Sequence, residues 1–163
     1  MPAIAITDPS LFAELDAVYS EYAHALDERR YGDWVDLFSE TCRYRLQPRE
    51  NHDRGLPLCT MAFESKGMLR DRVYGIENTL FHQPYYQRHL IGPLRIEATA
   101  TVDMWRVQGN YSVFRTRRNE LSELFNVGRF NDLLVREQGG LRFVDKLLVF
   151  DSEMIPNSII YPI

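Results

Sequence analysis

The side chains best suited to acid–base chemistry or metal binding are four histidines: His24, His52, His82 and His89. His82 and His89 are close in sequence, with Pro84 between them, and their spacing matches no metal-ligand pattern on a helix or a strand. We therefore expect no metal site in this chain. His89 should lie on a strand and His82 at the end of a helix, each satisfied by a hydrogen bond. The neighbouring Tyr85 and Tyr86 should supply aromatic packing.

Two carboxylates join His89 as candidates for a general base. If the fold leaves a cavity between its layers, Asp27, Asp36 or His89 could accept a proton there from a bound molecule. The alternative role for Asp27 is a helix C-terminal residue paired with Arg29 or Arg30, and for Asp36 it is a solvated position on a short helix. The sequence favours these structural roles. It contains no phosphate-binding glycine loop, nucleophile elbow or catalytic Cys–His couple.

The segment between Pro48 and Pro57 is rich in polar residues and in charges of both signs: Arg49, Glu50, Asn51, His52, Asp53 and Arg54. The two prolines and Gly55 disfavour regular secondary structure, so the sequence predicts a polar loop at the surface. Such a loop is either a solvated face, which needs no partner, or a docking surface for another protein. The residues alone leave both interpretations open.

The last residues of the sequence are apolar, ending in Tyr161, Pro162 and Ile163. Unanchored termini are usually polar and frayed, so we expect this tail to be held in place. It could fold back onto its own sheet. Alternatively, Tyr161 and Ile163 could insert into a neighbouring subunit, because large exposed apolar groups mark interfaces.

Composition bounds the class of protein. Hydrophobic residues make up 45% and charged residues 26% of the sequence, a balance typical of one folded domain over residues 1–163 and not of a disordered chain. The net charge of -4 gives no positive field for a phosphate backbone, which argues against nucleic acid as a partner. Because there is neither a signal peptide nor a membrane-length apolar run, we expect no membrane association and a cytoplasmic protein in which Cys42 and Cys59 are reduced thiols.

Periodicity predicts that helices come first. Asp8 can cap a helix whose apolar residues recur at helical spacing over 11–26. Residues 34–38 predict a short second helix, and Ser65 begins a third.

Strand-like alternation dominates the rest of the chain. Two short strands are predicted at 42–46 and 58–63, and longer alternating segments at 86–103, 105–117, 121–137 and 141–152. Hairpin turns are predicted at 108–110, 118–119 and 138–140. Helices followed by an antiparallel meander predict an α+β domain, with the helices on one face of a strongly bent sheet.

Several short motifs, in this order and spacing, resemble one known family: Tyr31-Gly32-Asp33-Trp34 with Leu37-Phe38, Tyr44-Arg45 with Arg49-Glu50-Asn51, Met68-Leu69-Arg70-Asp71-Arg72, and Arg88-His89. Together they make the chain similar, over nearly its whole length, to the small (beta) subunits of aromatic-ring-hydroxylating Rieske non-haem iron oxygenases. The resemblance implies an NTF2-like cone of helices on a curved, mostly antiparallel sheet.

The same resemblance implies partners and cofactors. The large (alpha) subunit would carry the Rieske [2Fe-2S] cluster and a mononuclear Fe(II), with three copies of each subunit assembled around a small-subunit trimer. Ferredoxin and a reductase would supply electrons to the complex. In this chain we expect no catalytic, cofactor-binding or metal-binding residue, in agreement with its lack of a Rieske ligand motif and of a two-histidine, one-carboxylate triad.

The resemblance extends to small subunits of oxygenases that act on benzoates with an ortho hydroxyl, amino or halogen group, the salicylate 5-hydroxylases first among them. It predicts a structural role, in which the polar loop and the tail are the candidate contacts: Arg49, Glu50, Asn51, His52, Asp53, Arg54, Tyr161, Pro162 and Ile163. Two other classes stay open. One is an independent isomerase or dehydratase that uses the cone cavity, and the other is a binding module without catalysis.

Overall fold

The computed structural model of the protein describes residues 8–152, 154 and 159–163. Helix α1 spans Pro9–Asp27 and begins where the Asp8 carboxylate accepts a hydrogen bond from the Ser10 backbone N–H at 2.9 Å. Its buried residues recur at helical spacing and face the sheet: Leu11, Leu15, Tyr19, Tyr22, Ala23, Ala25 and Leu26. The predicted first helix is therefore confirmed.

Three shorter helices follow. Helix α2 spans Tyr31–Asp36, so the predicted helix at 34–38 extends too far, because Phe38 already begins the first strand. Helix α3 spans Arg49–Asp53. Helix α4 spans Lys66–Tyr74, is capped by the Ser65 hydroxyl and continues as a π-helical turn over Gly75–Thr79. None of the helices in the described ranges is long and apolar enough to cross a membrane.

Seven strands form one sheet: β1 Phe38–Pro48, β2 Met61–Phe63, β3 Tyr85–Ile91, β4 Arg95–Ala98, β5 Met104–Arg117, β6 Glu123–Glu137 and β7 Gly140–Phe150. Their order is β2-β1-β7-β6-β5-β3, with β4 paired to β5. The pairings are antiparallel except between β1 and β7, which run parallel. The predicted α+β class, helices packed on a curved and mostly antiparallel sheet, is confirmed.

Three predictions about local structure are wrong. The segment 86–103 is two strands, because Gly92-Pro93 interrupts the ladder. Residues 108–110 are not a turn but lie inside β5, where a Cβ at position 109 would come within 2.4 Å of Phe130 Cζ, so Gly109 makes room for that ring. The charged segment is not an irregular loop, because Arg49–Asp53 form α3. The turns at 118–119 and 138–140 are confirmed, and Asn119, Gly139 and Gly140 adopt positive φ there.

Candidate functional site

Asp27 and His89 meet where the end of α1 packs on the edge strand β3. The Asp27 carboxylate lies 2.6 Å from His89 Nδ1 and also accepts the His89 backbone N–H at 3.1 and 3.2 Å. Two of the three candidate bases predicted from sequence are thus brought together. The pairing of Asp27 with Arg29 or Arg30 is wrong, because the nearest guanidinium is that of Arg88, at 3.9 Å.

Three hydrogen bonds link this pair and engage both carboxylate oxygens of Asp27. Because a carboxylate accepts, His89 Nδ1 is the donor in its contact with Asp27. Nε2 is buried and has no hydrogen-bond partner among the described residues, and the His89 side chain is 1% exposed. The third candidate, Asp36, belongs elsewhere: it is 78% exposed and lies 3.8 Å from Lys66 Nζ. Its predicted solvated position is confirmed.

A second buried charge pair occupies the inner face of the sheet. Lys146 Nζ lies 2.9 Å from Asp132 Oδ2, which also accepts the Tyr19 hydroxyl at 2.6 Å. The other oxygen, Oδ1, accepts the Leu147 backbone N–H at 3.1 Å. Burial raises the pKa of Asp132 and lowers that of Lys146, while each charge opposes the shift of its partner.

Aromatic rings enclose the Lys146 ammonium. Four ring centroids lie 4.3 to 5.1 Å from Nζ, those of Tyr19, Tyr22, Phe130 and Phe143. Sequence reasoning missed this cluster, although Lys146 shares its parity along the strand with the buried Leu148 and Phe150. The space around Lys146 is therefore filled by the protein's own charged and aromatic groups, whereas a cavity of about 510 Å³ between α1 and β3 is lined by Tyr19, Asp27 and His89.

The segment 159–163 seals the same interior from another side. The Tyr22 and Tyr44 hydroxyls donate hydrogen bonds to the Ile163 carbonyl, Tyr44 at 3.0 Å. Arg72 Nη2 donates to the Ile159 and Ile160 carbonyls at 3.2 and 2.5 Å. Of the two fates considered for the tail, folding back onto its own domain is the one observed for these residues.

In this conformation, the tail residues that were expected at a subunit interface lie inside their own chain. Tyr161, Pro162 and Ile163 are buried within their own chain, so the described form does not present them to a neighbour.

His82 Nε2 lies 2.7 Å from the Tyr161 hydroxyl, which confirms a hydrogen-bonded histidine. His82 is not at a helix end, however, because residues 80–84 form an irregular segment after the π-helical turn.

The α3 surface, defined as residues Arg49 to Arg54, carries exposed ion pairs, in contrast to the buried Lys146–Asp132 pair. Arg54 Nη1 lies 2.8 Å from Glu50 Oε1, and Arg49 contacts Asp53 at 3.3 Å, with all four side chains about half exposed or more. Hydrogen bonding, chiefly from His52, lowers the pKa of Asp53. Asp53 also lies 3.0 Å from Arg129 Nη2, and Arg49 lies 3.2 Å from Asp151. All of these pairs are at the surface, where the side chains are accessible to another protein.

Within the described residues, no three His, Cys, Asp or Glu side chains come together as a possible metal-ligand set. The two cysteines are free, with Cys42 buried and Cys59 partly exposed. Burial raises the pKa of both thiols, which disfavours the thiolate needed for metal binding or nucleophilic attack.

Comparison with known proteins supplies the family. A family model described as the ring hydroxylating beta subunit matches residues 21–157. The small subunit of anthranilate 1,2-dioxygenase from Burkholderia cepacia is 30% identical over 156 residues, which cover 96% of each chain. A solved beta subunit, assigned to an aromatic-ring-hydroxylating dioxygenase of Novosphingobium aromaticivorans, superposes with a TM-score of 0.84 at 30% identity and covers 94% of this chain and 97% of that one.

A second solved structure from Novosphingobium aromaticivorans, described as a scytalone dehydratase, has a TM-score of 0.70 at 16% identity and covers 97% of both chains. That similarity is one of fold alone. The family model, by contrast, spans most of the chain, and it agrees with relatives that match in both sequence and structure. We conclude that the chain belongs to the ring hydroxylating beta subunit family, the small subunits of aromatic-ring-hydroxylating dioxygenases.

Proposed function

We propose that this chain is a non-catalytic, structural subunit that supports the assembly of iron-bearing large subunits. The filled interior carries this proposal. The space between α1 and the inner face of the sheet holds the Lys146–Asp132 pair, and residues 159–163 pack against the same tyrosines. The chemistry would then belong to the partner, whose large subunit would hold the Rieske [2Fe-2S] cluster and the mononuclear Fe(II). We further propose three copies of each subunit around a small-subunit trimer, with ferredoxin and a reductase supplying electrons.

The α3 surface is the contact that we propose for the large subunit. Exposed ion pairs such as Arg54–Glu50 contribute on the order of 0–1 kcal/mol to folding, so they can exchange partners at little cost to the fold. Charges arranged in this way fix the register of two proteins and speed their encounter more than they add affinity. The proposed contact does not include Tyr161, Pro162 and Ile163, because they are buried in the chain's own core.

Co-expression with the large subunit tests the assembly. Size-exclusion chromatography with light scattering, and iron analysis of each peak, should show an iron-bearing complex and an iron-free small chain. Arg54→Glu should weaken this complex. Arg70→Glu is the matched control, since Arg70 is also more than half exposed and is paired with Glu40 at 3.3 Å. If both reversals leave co-elution unchanged, the α3 surface is not the contact.

For the substrate we propose a benzoate with an ortho substituent, with salicylate, hydroxylated to gentisate, as the first choice. The anthranilate 1,2-dioxygenase relative supports the ortho class, because anthranilate is 2-aminobenzoate. The assembled oxygenase, supplied with NAD(P)H, reductase and ferredoxin, should be compared on salicylate, anthranilate and benzoate by chromatography of the products. Faster turnover of benzoate than of both ortho-substituted acids would contradict this assignment.

An independent isomerase or dehydratase is the second candidate, and the contact between Asp27 and His89 is the observation that favours it. Such an enzyme needs His89 Nε2 to reach a substrate. Diethyl pyrocarbonate acylates accessible imidazole nitrogens, so peptide mapping after treatment reports that access directly. We expect the exposed His24 to react and His89 to resist. Rapid modification of His89 would instead favour the enzyme.

A further inference from the structure

A cavity of about 540 Å³ lies beside the start of β3, and it is lined by Arg29, Gln83, Pro84, Tyr85, Tyr86 and Arg118. Its size is within the range of small-ligand sites. The lining residues bring two guanidinium groups, an amide and the exposed ring of Tyr86, and none of them carries a carboxylate. Neither the family assignment nor the structural role gives this cavity a function.

The backbone holds Arg29 in position. Arg29 follows α1 with φ at 57°, a left-handed conformation that is strained for any residue with a side chain. Its Nη2 donates to the Tyr85 carbonyl at 3.0 Å. Its guanidinium carbon lies 5.7 Å from the ring centroid of Tyr86 and 5.6 Å from that of Tyr161. One donor and two rings thus fix the group, while most of its five N–H donors stay available.

Arg118 brings a second positive charge to the same cavity. The β3–β5 register pairs Tyr85 with Arg117, which sets Arg118 at the turn beside the start of β3. Among the described residues, neither Arg29 nor Arg118 forms an ion pair, whereas Arg88 pairs with Glu28 at 2.8 Å and Arg117 with Glu120 at 3.1 Å. Both guanidinium groups that line the cavity therefore lack a carboxylate partner among the described residues.

We propose that this cavity binds a carboxylate carried on a planar group. Guanidinium groups match carboxylate oxygens with paired, charge-assisted hydrogen bonds, which an ammonium group cannot do as well. The exposed face of Tyr86 offers a surface on which a flat ring can stack. We take the carboxylate to be that of a free aromatic acid, because an acidic side chain of a partner subunit would satisfy the two guanidinium groups but carries no ring to stack on Tyr86.

Titration of the full-length chain with benzoate, followed by amide ¹H–¹⁵N spectra, tests the site. We expect saturable shifts at the Tyr86 and Arg118 amides. Arg118→Gln should weaken binding by about tenfold, as expected for the loss of a charged hydrogen bond. The matched control Arg70→Gln removes the same charge on α4 and should bind like the unchanged chain. Benzyl alcohol, which keeps the ring and lacks the charge, should not bind.

Arg29→Gly separates binding from folding. Glycine adopts positive φ freely, so this variant should keep or raise the thermal midpoint while it loses benzoate binding by about tenfold or more. Three results would each overturn the proposal: no saturable shift at these amides, benzoate binding by both pocket variants that is as tight as that of the unchanged chain, or benzyl alcohol binding as tight as benzoate binding.

The source of the carboxylate is tested on the assembled complex. Benzoate binding that persists in the complex supports a free acid as the ligand, whereas binding that disappears there would contradict it and would point to a partner side chain in the cavity. The measurement on the isolated chain does not depend on the proposed partnership, so a failure of assembly and a failure of this site are distinguishable.

Discussion

The Lys146–Asp132 pair and the Arg54–Glu50 pair have almost the same length, 2.9 and 2.8 Å, in opposite surroundings. The side chains of the first pair are 1% and 0% exposed, and those of the second are 65% and 56% exposed. In the interior, each charge has lost its water and depends on its protein partners. At the surface, water and salt replace a partner easily. Distance alone therefore does not assign a role, whereas burial separates pairs that the fold requires from pairs that another protein can use.

High pH should break the interior most strongly. Burial raises the pKa of seven tyrosines: Tyr19, Tyr22, Tyr31, Tyr44, Tyr85, Tyr111 and Tyr161. In the unfolded chain these hydroxyls lose their protons above about pH 10, while the folded state retains them. The unfolded state then binds fewer protons, so the free energy of unfolding falls as pH rises, by up to about 1.4 kcal/mol per pH unit for each tyrosine.

Urea titrations followed by circular dichroism at a series of pH values measure this loss. We expect the protein to unfold without denaturant within about two units above pH 10. A free energy of unfolding that stays constant over this range would show that the tyrosines are accessible and would remove the contrast between the two regions.

Replacement of Asp132 by alanine should have the next largest effect. Asp132→Ala leaves the Lys146 ammonium buried without its counterion and removes the acceptor for Tyr19, which should cost about 3–5 kcal/mol. Chemical denaturation measures this change. The double variant Asp132→Leu with Lys146→Met should recover much of the loss, because it removes both charges. A loss for Asp132→Ala below about 1 kcal/mol would mean that water reaches the pair.

Asp27→Ala should have an intermediate effect. It leaves the His89 backbone N–H and Nδ1 without their acceptor, at a cost of about 1–3 kcal/mol. Hydrogen exchange at the His89 amide should accelerate, because that N–H lies on the edge strand and would face no other acceptor. Exchange at the Val113 amide, on the neighbouring β5, is the internal control. Unchanged exchange at His89 would show that Asp27 does not hold the edge of the sheet.

Arg54→Glu should have the smallest effect on folding. Because the Arg54–Glu50 pair is exposed, we expect the isolated chain to change by about 1 kcal/mol or less while its complex with the large subunit weakens. Denaturation of the isolated chain, run beside the co-elution experiment, gives both values. A large loss of stability without any change in assembly would show that the Arg54–Glu50 pair, like the buried pair, stabilises the fold and does not bind a partner.

Local patterns in the sequence predicted much of the fold and less of the site. Helix α1 and its Asp8 cap depend on neighbouring residues, so both could be read directly. The parallel pairing of β1 with β7 depends on contacts about a hundred residues apart, such as Arg43 with Asp145, and no local pattern encodes it. Gly109 predicts a turn because a glycine in a turn and a glycine that makes room for a neighbouring ring look the same in the sequence.

The inward position of Lys146 and the contact between Asp27 and His89 also depend on features that no local pattern encodes. A register shift in the β6–β7 ladder, between Leu133 and Leu134, changes the alternation along β7. Alternation counted from Phe143 therefore places Lys146 outside, whereas the structure turns it inward toward Asp132. The contact between Asp27 and His89 joins a helix to a strand, so sequence could nominate each residue without showing that they meet.

Hydrogen–deuterium exchange on the small subunit, alone and in complex with the large subunit, tests whether the exposed charges of the α3 surface contact the large subunit while the buried charges do not. We predict that peptides covering residues 49–54 gain protection in the complex, while those covering β7 around Lys146 exchange slowly and equally in both states. Unchanged exchange at residues 49–54 in an assembled, iron-bearing complex would contradict a contact between the α3 surface and the large subunit.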